Sequence, residues 1–258
     1  MIPRWVIFAS YGNDSIAAIQ YLREEHPDAQ DVSVLYSNTG WAARDWESRV
    51  AEMEAWVHSL GWHPARTQSI GLEELVRQRK GWPRQGMQFC TLELKMWPAI
   101  KWLDENDPEK KATCIVGVRQ EESHNRRNFP EWTENSANHG GRTLWAPLAK
   151  HTTEQRDALL QRAGVTPLPH RSMECFPCIN SNRADLRMLA KDPERIEEIA
   201  KIEESMGHTA KGKPRTMFRP YRHMGAVGIR EVVKWAESAR GEYAPEDDEE
   251  CLSGYCSI

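Results

Sequence analysis

Three groups of residues in this chain have types and spacings that could do chemistry. Ser10-Tyr11-Gly12-Asn13-Asp14-Ser15 lies between an apolar run and an amphipathic stretch. A turn there leaves unpaired N–H groups at the positive end of a helix, an arrangement that suits phosphate. Gly12 admits a close ligand, and Ser10 and Ser15 can add hydroxyl hydrogen bonds. The same residues also suit an ordinary strand-to-helix turn with Asp14 as N-cap. The second group is Gly117-x-Arg119-x-x-x-Ser123-x-x-Arg126, which also follows an apolar run. Its guanidinium groups offer forked donors for phosphate or sulfate, or they face solvent as an ordinary charged loop. The third is Cys175-x-x-Cys178, whose spacing lets two thiolates reach one metal ion or cluster. Together with Cys251 and Cys256 it could form a four-cysteine zinc site. Cys114, inside an apolar run, reads as an inert buried thiol.

The elements that must position these groups follow from periodicity. Trp5-Val6-Ile7-Phe8-Ala9 reads as a buried strand, and Ile16, Ile19 and Leu22 then recur at helical spacing. A second strand over 32–36 runs into Asn38-Thr39-Gly40, and Trp46, Val50, Met53, Val57 and Leu60 line one face of a helix. A weaker strand at 66–70, helices at 72–79 and 92–106, and a strand at 112–116 continue the alternation. This pattern predicts an α/β fold with a mostly parallel, doubly wound sheet, whose ligands bind beyond the carboxyl ends of the strands. Residues 125–142 read as a long loop. Thr152-x-x-Gln155 is a capping box, and Asp192-Pro193 opens another helix. A basic stretch at 211–222 precedes a last helix at 228–240, and an acidic run then leads to Cys251 and Cys256. The expected division is an α/β domain carrying the phosphate-suited loop over 1–150 and a helical, cysteine-bearing extension over 151–258.

The chain has 258 residues and a mass of 29.7 kDa, with 40% hydrophobic and 28% charged residues, as in a soluble globular protein. No apolar stretch reaches membrane-spanning length, and the first strand starts too early to leave room for a signal peptide, so a cytoplasmic location is expected. A net charge of -4 argues against a general nucleic-acid binder and leaves only the local patch of Lys211, Lys213, Arg215, Arg219 and Arg222. Gly207-x-x-x-x-Gly212-Lys213 imitates a P-loop, but Pro214 replaces the Ser/Thr and the segment follows a helix.

Ser-x-Gly-x-Asp-Ser after a first strand resembles the pyrophosphate loop (PP-loop) of the adenine nucleotide α-hydrolase-like superfamily. That group includes ATP pyrophosphatases and the sulfonucleotide reductases acting on PAPS and APS. Asn38-Thr39-Gly40 resembles the Asp-Thr-Gly of those reductases, with Asn38 replacing the acid, and the 117–126 loop resembles their anion-contacting segment. Residues 89–98, Phe-Cys-Thr-Leu-Glu-Leu-Lys-Met-Trp-Pro, are similar to the Cys-Cys-x-x-x-Lys-x-x-Pro of cluster-bearing APS reductases, with Phe89 in place of the first Cys. The whole order resembles the phage- and prokaryote-encoded PAPS reductase-like family.

The resemblance implies an adenine nucleotide (ATP, APS or PAPS) held by Ser10, Gly12, Asn13, Asp14, Ser15, Asn38, Thr39, Gly40, Gly117, Arg119, Ser123 and Arg126. It implies a four-iron four-sulfur (4Fe-4S) cluster on Cys90, Cys175, Cys178 and Cys256, with zinc as the alternative metal. Cys251 is then the nucleophile toward sulfur, the two tail cysteines Cys251 and Cys256 competing for the ligand and nucleophile roles, and a thiol such as thioredoxin is the reductant. A second reading is an ATP pyrophosphatase in which Asp14 helps to position Mg and pyrophosphate while a nucleic acid or small molecule is adenylated. A metal-stapled binding protein without catalysis is a third. Asn13 stands where many ATP pyrophosphatases carry Lys, so phosphate charge must be balanced elsewhere.

Overall fold

The computed structural model describes residues 4–218 and 227–238. Cys251, Cys256, Arg219 and Arg222 lie outside the described residues. In chain order the elements are β1 (Trp5–Phe8), α1 (Asn13–Glu25), β2 (Val32–Asn38), α2 (Trp46–Ser59), β3 (His63–Gln68), α3 (Leu72–Arg79) and the single turn α4 (Phe89–Thr91). A π-helical turn over Leu92–Met96 leads into α5 (Trp97–Asn106), followed by β4 (Thr113–Val116), β5 (Trp132–Ser136) and β6 (Arg142–Trp145). The remaining helices are α6 (Thr153–Arg162), α7 (Arg183–Leu189), α8 (Pro193–Met206) and α9 (Ile229–Glu237). These residues form two compact units, 4–71 with 90–176, and 72–89 with 177–218 and 227–238.

The first unit is built on a six-stranded sheet of order β3-β2-β1-β4-β6-β5, parallel except for the β5–β6 pair. It is the mixed α/β, mostly parallel sheet that the alternation predicts. Met96, Ala99 and Leu103 pack on Val6, Phe8, Leu35, Cys114 and Val116. The alternating residues Ile7, Val34 and Ile115 are equally buried, so both faces are covered. The capping box of Thr152 and Gln155 opens α6, and Asp192 with Pro193 opens α8. In the second unit Glu203 of α8 accepts from the N–H groups of Met217 (2.8 Å) and Ile229 (2.9 Å), tying α8 to the start of α9.

Three local expectations change. The third strand is His63–Gln68, earlier than 66–70, because its partners on β2 set the frame: Leu35 faces Ala65 and Ser37 faces Thr67. Residues 125–142 are not one loop. They contain β5, a polar edge strand with a register shift between Thr133 and Ser136, and such a strand carries little alternation to read. The segment 92–106 is not one regular helix. Pro98 lacks the N–H that would continue the α-ladder, and a π-turn precedes it, burying Leu94, Lys95 and Met96 in succession.

His139 and Arg142 lie fully buried at the foot of β6. Arg142 donates to the Asp107 carboxylate (2.7 Å) and to the carbonyls of Leu103 and His139, and His139 Nδ1 meets Ser136 Oγ at 2.8 Å. Burial, with the Arg142 charge, pushes the His139 imidazole down to about 4. The unfolded chain therefore takes up a proton near pH 6.5 that the folded chain refuses until about pH 4, so stability is lost as pH falls through that window. Melting in buffers from pH 7 to 4.5 should show a decline of roughly 3 kcal/mol from this group. His139→Gln should flatten that part of the curve, and an unchanged slope would remove His139 as its cause.

Candidate functional site

The first loop begins where Ala9 N–H bonds the Leu35 carbonyl (2.9 Å), beside β2. Tyr11 takes φ +56°, a left-handed conformation that costs a bulky side chain about 1–3 kcal/mol. Its buried ring stacks on Tyr36 with centroids 5.8 Å apart, and Arg49 Nε donates to its carbonyl at 2.7 Å. Gly12 then caps α1. Its N–H reaches Ser10 Oγ (3.3 Å) and its carbonyl accepts from Ser15 Oγ (3.1 Å). Asp14 is therefore not the N-cap; it stands in the first turn, because the left-handed Tyr11 starts the helix two residues earlier, with Gly12 as N-cap.

Asn13 exchanges two hydrogen bonds with the backbone of Leu168, Nδ2 to O at 2.9 Å and N to Oδ1 at 2.8 Å. Leu168 begins a strap, residues 168–176, that crosses the loops after β1 and β2. Ser172 Oγ donates to the Ser10 carbonyl (3.4 Å), and its Cβ lies 2.9 Å from where a Cβ on Gly12 would stand. Thr39 Oγ1 donates to the Glu174 carbonyl (2.9 Å), and Phe176 N–H donates to the Trp41 carbonyl (2.7 Å). The Glu174 carboxylate forms a buried ion pair with Lys95 on the π-turn. Asn38 is occupied within its own turn, accepting from Gly40 N–H (2.9 Å) and donating to Gln68 (3.0 Å).

The third loop meets the first directly. A Cβ on Gly117 would stand 2.6 Å from the Asp14 carbonyl oxygen and 3.0 Å from Ser15 N, so only glycine lets the end of β4 lie against the first turn of α1. Two residues on, Arg119 Nε donates to Asp14 Oδ1 (2.5 Å), and Arg156 of α6 approaches the same oxygen at 3.6 Å. Glu121 joins Arg119 (3.1 Å) to the start of α6 by accepting from Thr153 N–H (2.6 Å). Ser123 caps the short turn that places Arg126 in an ion pair with Glu122. The loops after β1, β2 and β4 thus gather at neighbouring strand ends, with N–H groups, hydroxyls and guanidinium groups around one helix start.

Cys90, Cys175 and Cys178 are partly exposed thiols, whereas burial pushes the Cys114 thiol up to about 12 and leaves it inert. Among the described residues no group of three or more His, Cys, Asp or Glu side chains is placed to hold a metal ion. Thiol donors suit iron–sulfur or zinc, yet the described set does not make such a site by itself. Sequence reasoning missed Arg49, Arg156, Ser172 and the Glu174 partner of Lys95. No local spacing announces them, since each acts across more than thirty residues of chain. Among the described residues no helix is long and apolar enough to cross a membrane.

The phosphoadenosine phosphosulfate reductase domain family matches residues 4–208. A relative in Escherichia phage 186, an uncharacterized 37.8 kDa protein of the gpa 5′ region, is 24% identical over 306 aligned positions, spanning all of this chain and 89% of that protein. The phosphoadenylyl-sulfate (PAPS) reductase of Candida auris, in a phosphate complex, is 14% identical with TM-score 0.45, over 64% of this chain and 75% of that one. The U34-tRNA thiolase NcsA of Methanococcus maripaludis, with its 4Fe-4S cluster, is 14% identical with TM-score 0.49, over 92% and 82%. The NH3-dependent NAD synthetase of Campylobacter jejuni is 12% identical with TM-score 0.39, over 80% and 81%. With the family match extending over most of its length, the chain belongs to the phosphoadenosine phosphosulfate reductase domain family.

Proposed function

We propose that the chain is an adenine-nucleotide enzyme of the sulfonucleotide reductase type, with nucleotide phosphate on the 10–15 loop. The observation that carries this reading is the approach of Gly117 to the first turn of α1, which puts the Arg119 loop and the phosphate loop side by side at the carboxyl ends of β1 and β4. Ser10, Gly12 and Ser15 cradle phosphate, and Arg119 and Arg126 hold the sulfur-bearing anionic end. The Cys251 thiolate attacks sulfur, the bond from sulfur to the nucleotide oxygen breaks, and the nucleotide leaves. A dithiol such as thioredoxin then releases sulfite from the enzyme thiosulfonate and is itself oxidised to the disulfide.

On the same reading Cys90, Cys175 and Cys178, completed by Cys256, hold a 4Fe-4S cluster, with zinc as the alternative. The three partly exposed thiols support it, and so does the Lys95–Glu174 pair that ties the Cys90 and Cys175 segments together. When bound, the group would act electrostatically and as a structural closure near the substrate rather than as an electron donor. Iron and zinc analysis of protein prepared without oxygen tests the assignment, and colourless protein with stoichiometric zinc would replace iron.

One observation favours a second reading, ATP cleavage to pyrophosphate with adenylation of an acceptor. Arg119 is held on Asp14, so gripping a sulfonate would require that pair to part. Lys211, Lys213 and Arg215 would then offer a nucleic-acid acceptor its positive charge. Purified protein given PAPS or APS with thioredoxin should release sulfite. Pyrophosphate from ATP without sulfite would transfer the assignment to the second reading, and neither product would retire both.

A further inference from the structure

The cations around the first loop are not equally engaged. Arg119 and Arg156 address Asp14, and Arg126 pairs with Glu122. Asn13 spends its amide on Leu168 and brings no charge. Arg49, in the first turns of α2, is different: it forms no ion pair with any described carboxylate. Its Nε donates to the Tyr11 carbonyl at 2.7 Å, its guanidinium carbon lies 5.6 Å from the Trp46 ring centre, and its Nη2 is buried with no hydrogen-bond partner. Burial lowers its pKa, as for a cation short of counter-charge, and Glu52 opposes this only in part.

Guanidinium geometry says where the spare donor points. Nε and Nη2 share one edge of the planar group, so the Nη2 N–H runs parallel to the one that Tyr11 accepts and faces the same loop. A buried charged donor without an acceptor is costly, and an anion at the loop would remove that cost.

We propose that Arg49 is the phosphate-neutralising residue of the first loop, its Nη2 taking a phosphate oxygen while its Nε holds the Tyr11 carbonyl. One side chain then fixes the left-handed turn and supplies the charge that Asn13 does not. The ligand class is a phosphoanhydride anion, a nucleoside polyphosphate or phosphosulfate, and the assignment rests on the first loop being the nucleotide phosphate site.

The test uses the full chain with inorganic pyrophosphate, AMP and adenosine as separate probes in calorimetry. Arg49→Gln should weaken pyrophosphate and AMP about tenfold or more, the loss of one charged hydrogen bond, and leave adenosine within about twofold. Arg49→Lys keeps the charge but not the fork and should lie between the two, which a purely structural role would not produce. The weakening of pyrophosphate binding by salt should be shallower in Arg49→Gln than in the natural protein. Pyrophosphate affinity unchanged in Arg49→Gln would overturn the assignment. So would equal losses of adenosine and pyrophosphate in both variants. If Arg49→Gln does not fold, Arg49→Lys decides by the same ratio of pyrophosphate to adenosine affinity. A natural protein that binds pyrophosphate but not adenosine overturns the nucleotide reading alone, and a loss of pyrophosphate in Arg49→Gln would still support Arg49. Binding of neither probe overturns both.

Discussion

Lys95→Met is expected to lower the melting temperature by roughly 10 °C, the largest single effect in the first unit. The Lys95 and Glu174 side chains are 8% and 2% exposed, and they face each other in an ion pair. Burial already raises the Glu174 carboxyl, with the Lys95 ammonium pulling it back, and Glu174 Oε2 has no other partner. Removing the ammonium leaves an unpaired carboxyl in a dry place, a loss of about 3–5 kcal/mol. In a chain of this size each kcal/mol corresponds to about 2–4 °C. The double variant Lys95→Met, Glu174→Met should regain most of the loss, because two apolar side chains of similar volume carry no desolvation cost. Thermal melting of the three proteins at neutral pH decides it. A drop under about 3 °C in the single variant would mean that the pair contributes little. The consequence for the site is local. Lys95 follows Cys90 by five residues and Glu174 precedes Cys175 by one, so parting the pair frees both thiol-bearing segments.

The second large effect is expected at Gly117, where alanine should both destabilise the fold and remove ligand binding. A methyl group there would lie 2.6 Å from the Asp14 carbonyl oxygen and 2.7 Å from its carbon. Those are backbone atoms in the first turn of a helix, so they cannot rotate away as a side chain would. The end of β4 must withdraw from α1, at about 1–3 kcal/mol for overpacking, and the Arg119–Asp14 contact opens with it. Nucleotide or pyrophosphate affinity should fall at least about tenfold, since a displacement of about an ångström misaligns both sets of donors. Calorimetry and melting of Gly117→Ala measure the two losses together. Full affinity in a protein that melts like the natural one would show that the loops do not need this approach.

Local signals carried the elements whose partners lie within a turn or two. Val6-Ile7-Phe8 and Cys114-Ile115-Val116 are uniformly apolar because both faces of a parallel sheet are covered, and they became β1 and β4. Trp46, Val50, Met53 and Val57 marked the buried stripe of α2, and the Thr152–Gln155 box opened α6 because each residue bonds the other's backbone. The edge strand β5 escaped because its residues Trp132-Thr-Glu-Asn-Ser face solvent along most of their length. Its identity depends on β6 being beside it.

The amino-acid sequence by itself determined that this is a parallel α/β protein, with a phosphate-suited turn after its first strand and arginines after its fourth. Those features are written in hydrophobic period and in residue type, which act over a few positions of chain. Only the tertiary structure decided how the loops are occupied. Asn13 is clamped to Leu168, Arg119 is held on Asp14, Glu174 is matched to Lys95, and Arg49 reaches Tyr11 from another helix. Each of these pairs spans from 38 to 155 residues of sequence. Charge pairing over such separations follows from where the folded backbone brings side chains together, and no local pattern encodes that.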